Sequence, residues 1–352
     1  MKRPDTRTEK RLDEIREQAA LGNLDAKGIR PPGSPFPETN SYYGLPIVKP
    51  PVWTWEVPLY FFVGGAAGAS SVIALTAQLT GASKALVRDA RWIAAIGAAA
   101  SGPLLILDLG RPERFLNMLR VFKPQSPMSV GAWTLTVFGT ASAAAVLAEM
   151  AWERGRPART GTGERRAGRS RSQGASGFLK RISDAAAFVA ALSGLGMATY
   201  TGVLIGATAI PVWAAHARTL PVHFGASALA SATALLTLRG HDEPALNALG
   251  MAAAMFETYM GIEIESCDDI ESEPLRHGPS GITTRIGGFF SGPLPLALRL
   301  LGIRSKRARR AAAASALLGS LITRLAWVEA GKVSANDPRP SLGSWVSLKG
   351  EL

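Results

Sequence analysis

Long apolar stretches recur at 57–80, 91–108, 130–151, 185–213, 220–238, 245–263, 286–302 and 311–328, separated by polar or basic tracts. Most reach or approach the ~20 residues that carry an α-helix across a hydrocarbon core of roughly 30 Å. In lipid every backbone polar group must be satisfied within the protein, and a helix does this with its own hydrogen bonds. The pattern predicts an all-α polytopic membrane protein of about eight transmembrane helices. Glu257, Arg299 and Arg324 interrupt the last three segments. Charges at membrane depth face protein rather than lipid. Glycine and alanine dominate the spans, as at Gly64, Gly65, Gly68, Gly194, Gly196, Gly202 and Gly206, so neighbouring helices are expected to approach closely.

The regions outside the spans read differently. Residues 1–52 form a polar, proline-rich N-terminal tail with a possible helix at Arg7 to Leu21, ended by Pro31-Pro32-Gly33-Ser34-Pro35. It is either disordered or laid along a soluble partner, with Tyr42, Tyr43 and Trp53 as anchors. A transmembrane domain follows over 53–340, then a short C-terminal tail over 341–352. No cleaved secretory signal is expected, because the first apolar stretch begins only near residue 57. The tract from Arg154 to Ser176, rich in Arg, Gly and Ser, reads as a disordered loop.

Composition sharpens this picture: 47% of residues are hydrophobic and 19% charged, with a formal net charge of +12. The basic surplus lies largely in short tracts between spans, such as Arg154 to Arg171 and Arg304 to Arg310. That placement marks the cytoplasmic side of a membrane rather than a nucleic-acid surface. The loops after the first, third, fifth and seventh segments carry Lys84, Arg88 and Arg91, the basic run to Arg181, Arg239, and Arg304 to Arg310. The loop after the sixth is acidic from Glu263 to Glu273. The positive-inside rule places both termini outside, on the periplasmic face of a cell membrane. The one cysteine, Cys267, excludes a disulfide framework, a zinc knuckle or an iron–sulfur cluster held by this chain alone. The four histidines, His216, His223, His241 and His277, stand at or beyond span ends, so a haem held by paired intramembrane histidines is not expected.

Counting spans brings four features to one face: the start of the first segment (Trp53, Glu56, Tyr60), the loop after the second (Asp108 to Lys123), the loop with His216 and His223, and the outer half of the sixth segment with Glu257. The loop is the most specific of these. It runs Asp108-Leu109-Gly110-Arg111-Pro112-Glu113-Arg114-Phe115-Leu116-Asn117-Met118-Leu119-Arg120, then through Lys123-Pro124 and Ser126-Pro127-Met128-Ser129-Val130-Gly131-Ala132-Trp133. It resembles the signature of the NrfD/PsrC family, the membrane subunits of polysulfide-reductase-like complexes. Pro58-Leu59-Tyr60-Phe61-Phe62 with Gly64, Gly65 and Gly68 resembles the family's first helix. Tyr200-Thr201-Gly202-Val203-Leu204, Pro211-Val212-Trp213 and Leu220-Pro221 resemble its fourth and fifth. Ala330-Gly331-Lys332, Ser334-Ala335 and Asp337-Pro338 fit its end. The similarity spans roughly 50–340.

The resemblance implies two four-helix bundles that hold no haem, iron–sulfur cluster or metal. It implies a membrane subunit that exchanges electrons between a quinone, menaquinone or ubiquinone, and an iron–sulfur partner subunit. In many such complexes that partner docks on a molybdopterin catalytic subunit. Within this frame Asp108, Arg111, Tyr200 and Glu257 are the candidates for catalysis and proton handling. Trp53, Glu56, Tyr60, Asp108, Arg114, Tyr200 and His223 are the candidates for contact with quinone.

Quinol oxidation releases two protons, so the pocket needs acceptors and a route to water. Asp108, followed by Arg111 and Arg114, is either that acceptor or half of a structural ion pair. Tyr60 and Tyr200 either donate to quinone carbonyls or pack with their hydroxyls on backbone. Glu56 suits the N-terminal dipole of the first helix. Glu257 needs a partner at its depth, for which Arg324 is the expected one, and serves either as proton relay or as static ion pair. Two further classes compete. A transporter-like subunit would show discontinuous helices and a site near the midplane; a passive anchor would have no quinone pocket.

Overall fold

A computed structural model describes residues 24–25, 28–29, 48–108, 117–154, 166–302 and 305–342. The possible tail helix at Arg7 to Leu21, Arg111, Arg114 and the C-terminal tail from 343 lie outside the described residues. The chain divides into Met1–Leu45 and Pro46–Leu352. Within the first unit, β1 (Leu24–Asp25) and β2 (Gly28–Ile29) pair antiparallel, Leu24 opposite Ile29.

The second unit is helical: α1 (Glu56–Leu79), α2 (Lys84–Asp108), α3 (Pro127–Arg154), α4 (Arg166–Gly206), the short α5 (Pro211–Ala215), α6 (Leu220–Leu238) and α7 (Pro244–Ser266). Then follow α8 (Glu273–Arg276), α9 (Gly278–Ser291), α10 (Pro293–Leu301), α11 (Lys306–Asn336) and α12 (Arg339–Leu342). Among the described residues six helices are long and apolar enough to cross a membrane: α1, α2, α3, α4 over 177–206, α6 and α11. The protein is a polytopic helical membrane protein.

Three boundaries differ from the sequence reading. The fourth segment ends at Gly206 rather than running to 213, because the chain turns before Pro211, which starts α5. The seventh breaks at Gly292 between α9 and α10. Helix α4 begins at Arg166, inside the tract expected to be a disordered loop, while 155–165 lie outside the described residues.

Small residues set the packing. At the α1–α4 crossing a Cβ on Gly68 or Gly194 would strike the facing helix, and Ser71 donates to the Gly68 carbonyl at 2.7 Å and to Ala190 at 3.1 Å. With no hydrophobic drive between helices in lipid, such close contact and interhelical hydrogen bonds supply the attraction. Arg91 was read as part of a basic loop. It lies instead inside α2 and is 7% exposed. It donates to Glu149 of α3 at 2.9 Å, to Ser183 of α4 at 3.0 Å and to Gln78 of α1 at 2.6 Å, with Asp184 at 3.6 Å. One guanidinium thus ties four helices at one end of the bundle.

At the other end Trp213 of α5 is fully buried and joins distant motifs. Its indole N–H donates to the Trp327 carbonyl of α11 at 2.8 Å, and its ring stacks on Trp53 at 5.4 Å between centroids. A side chain at Gly331 would overlap the Trp213 ring. The Val212 amide donates to Ser334 Oγ at 3.1 Å. The Pro211-Val212-Trp213 and Ala330-to-Ala335 motifs are therefore two halves of one joint.

Candidate functional site

The proposed site residues separate into two groups. In the first, Trp53 precedes α1, Tyr60 comes from α1, Asp108 ends α2 and Tyr200 lies in α4. All four line one cavity, together with Met118, Met128 and Gly131. Glycine at 131 is required there, because a Cβ would collide with the Tyr200 phenol. Tyr60 and Tyr200 are both buried. Trp53 closes the cavity towards α5 through its stack on Trp213 and an edge contact with Phe61. Glu56 opens α1 and accepts a hydrogen bond from the Thr54 hydroxyl. It does not line the cavity, but its charge reaches Asp108. The enclosed volume is about 40 Å³, room for little more than water.

The second group is His223 of α6 with Glu257 of α7. His223 was placed at a span end with the first group; it instead sits one turn inside α6, buried, with Nε2 3.3 Å from Glu257 Oε2. Ser291 Oγ donates to the same carboxylate oxygen at 2.9 Å. Arg324, the expected partner of Glu257, is directed elsewhere. It donates to Ser227 at 2.5 Å and to the Phe224 carbonyl at 3.0 Å, and lies 4.5 Å from the Phe224 ring centroid. It acts on Glu257 only through its field. Three hydroxyls, Ser227, Ser231 and Ser320, form a chain beneath it.

Of these residues His223 and Glu257 border a separate cavity of about 350 Å³ between α7, α9 and α11. Trp327, which no motif in the sequence singled out, forms part of its wall. The helix break at Gly292 follows directly after Ser291. A Cβ there would press on the Thr258 backbone, so α7 and the break are in close contact. The Gly292-Pro293 pair was the signal available for this feature.

His216 lies outside the spans, its Nε2 3.0 Å from Ser272 Oγ and its ring 5.4 Å from that of Trp327. Burial pushes its imidazole below the ordinary histidine value, against the opposing pull of Glu263.

Helices of membrane length, packed through small residues and carrying buried charges, define an integral membrane protein of the multi-pass helical class. The family described as polysulphide reductase, NrfD, matches residues 46–241. The chain belongs to the NrfD family. The match covers α1 to α6 and so includes the whole first cavity, whereas Glu257 lies beyond it. A comparison with curated proteins finds no match.

Proposed function

We propose that this chain is the quinone-interacting membrane subunit of a respiratory oxidoreductase, passing electrons between the quinone pool and an iron–sulfur partner docked on its outer face. A molybdopterin-type subunit would complete the complex. The convergence of Trp53, Tyr60, Asp108 and Tyr200 on one cavity carries this reading, since they come from three separate stretches of chain. In it the two phenols donate to the quinone oxygens, and Asp108, with Arg111 and Arg114 following in the sequence, takes the proton released on quinol oxidation. The headgroup enters as Met118 and Met128 swing aside, because the enclosed space is too small for a ring as it stands; unbranched thioether chains permit this.

The proposed topology has eight passes in two four-helix bundles: α1 to α4, then α6, α7, α9 with α10, and α11. Both termini lie outside a cell membrane, by the positive-inside rule.

The test is quinol-dependent reduction of the partner's clusters in the assembled complex. Asp108→Asn should slow it by roughly 10²-fold. Tyr200→Phe should weaken quinone affinity by about tenfold or less. In this reading Arg111 pairs with Asp108, so Arg111→Ala should do worse than Asp108→Asn. Wild-type rate and affinity in both Asp108→Asn and Tyr200→Phe would refute the site.

The broken α9–α10 helix beside Glu257 favours a second reading, ion or proton translocation, for which discontinuous helices are the usual framework. Acidification inside sealed vesicles during quinol oxidation, abolished in Glu257→Gln, would establish it. Turnover without acidification would reject it.

A further inference from the structure

The cavity between α7, α9 and α11 belongs to neither Asp108 nor the loop beside it. Its volume, about 350 Å³, falls within the range of small-molecule sites. Its lips are apolar and outward-facing: Ile262 is 64% exposed and Phe289 52%. On the eight-pass reading proposed above, on which this inference rests, such a mouth opens to the hydrocarbon. Two of its wall positions are Gly261 and Gly288, where an added Cβ would meet nothing within 4 Å.

At its inner wall the chemistry changes. Glu257 is 2% exposed, and His223 and Trp327 are equally buried. Glu257 Oε1, His223 Nδ1 and Trp327 Nε1 all lack a hydrogen-bond partner among the described residues. Buried polar atoms are ordinarily paired, and one left unsatisfied costs roughly 1–3 kcal/mol. Three of them lie just behind the wall of one cavity, where a polar group arriving from outside would satisfy them on turning aside the side chains that now cover them. The charges narrow its identity. Two carboxylates, Glu257 and Glu265, face one guanidinium, Arg285, which is already paired with Glu265. An anionic phosphate headgroup is repelled from such a site. A neutral hydroxyl fits, because one O–H supplies a donor for the carboxylate and an acceptor for the indole N–H. The flat apolar walls, Phe289 and Trp327, suit an aromatic ring.

We infer that this cavity is a second quinol site, in which Glu257 accepts the ring hydroxyl and the Trp327 indole N–H donates to the same oxygen. The event is binding: two hydrogen bonds form and no covalent bond changes. A quinone lacks the O–H and sets a carbonyl lone pair against the carboxylate, so the reduced form binds tighter. The two cavities also share a structural link, since Trp327 holds Trp213, and Trp213 stacks on Trp53 in the wall of the first.

The experiment uses the full chain in phosphatidylcholine nanodiscs with a short-chain photoreactive naphthoquinol, the labelled peptides being mapped by mass spectrometry. Label is expected within 257–293, falling about tenfold or more with the oxidised probe, as befits loss of a hydrogen bond to a charged group. Gly288→Leu fills the cavity without striking a neighbour and should abolish that label while sparing any around Tyr60 and Tyr200. If this variant does not fold, Gly261→Leu fills the same space from the α7 side. Absence of label in 257–293, label that survives a folded filling variant, or equal displacement by phosphatidylethanolamine would each overturn the inference. Label in 257–293 with none near Tyr200 would uphold it and reject the first site; the reverse would do the opposite.

Discussion

Gly131→Ala adds one methyl group and removes no functional atom, yet it should damage the first cavity more than deleting the Tyr200 hydroxyl. The added Cβ collides with the Tyr200 phenol. Ordinary carbon contacts lie near 3.5 to 4 Å, so the ring must retreat by more than roughly 1 Å. Such overpacking costs about 1–3 kcal/mol, against which alanine regains about 1 kcal/mol of helix propensity in α3. The net loss of stability should therefore be no more than about 2 kcal/mol, and the bundle should assemble. Function should suffer more, because a displacement of about 1 Å at a reacting centre can cost on the order of 10²-fold. Tyr200→Phe, by contrast, forfeits a single neutral hydrogen bond, about 0.5–1.5 kcal/mol or at most about tenfold. The assay pairs thermal melting in detergent with affinity for a short-chain quinone and with quinol-linked turnover. In a Tyr200→Ala background the clashing ring is gone, so adding Gly131→Ala there should lower melting no further, whereas alone it does. Wild-type melting and affinity in Gly131→Ala would refute the packing of Tyr200 on α3 and the site drawn from it.

Other outcomes follow from features away from that cavity. Arg91→Ala leaves Glu149 without its guanidinium and Asp184 with only Lys180 and Gln78, and should cost roughly 1–3 kcal/mol; an unchanged melting temperature would show that the network does not hold the four helices. His216 has a folded-state value below its unfolded one, so the unfolded chain takes the proton first on acidification. Stability from the neutral ring is present above about pH 6.5 and is lost as pH falls towards the folded value. Hydrogen exchange around 209–219 should accelerate below that pH in the wild type and lose this dependence in His216→Gln. Cys267, partly exposed after α7, should react with an impermeant maleimide in intact cells lacking the iron–sulfur partner; labelling only after lysis would invert the topology.

Features with local causes were legible in the sequence. The helices α1, α2, α3 and α6 follow from apolar windows almost free of charge, and α11 from one interrupted only by Arg324, while the loop motif singled out Asp108 and the first-helix motif Tyr60. Features set by tertiary contact were not. The Gly292-Pro293 pair in 286–302 permits a break, but that the pass is broken there is set by the packing of Gly292 against Thr258 of α7. Charge complementarity assigned Arg324 to Glu257, but the three-dimensional course of α6 carries His223 to the carboxylate and gives the guanidinium to Ser227 and Phe224. Arg91 looked like a topology signal because position along the chain does not reveal that Glu149 and Asp184 converge on it. Trp327 carried no motif, and its importance appears only once Trp213 is seen against it.

The joint at Trp213 has a consequence for biogenesis. The indole leaves the ribosome 114 residues ahead of the carbonyl that it binds. Gly331, whose missing side chain makes room for the ring, emerges later still. Through Trp53 the same indole braces the start of α1, so the N-terminal half, though inserted first, cannot reach its final packing until the last helix has been synthesised and released. Translation arrested before Gly331 should leave a nascent chain with all its early helices in the bilayer and with Trp213 still accessible to a water-soluble quencher. Release of the C-terminal segment would then act as a late latch on the earliest part of the molecule.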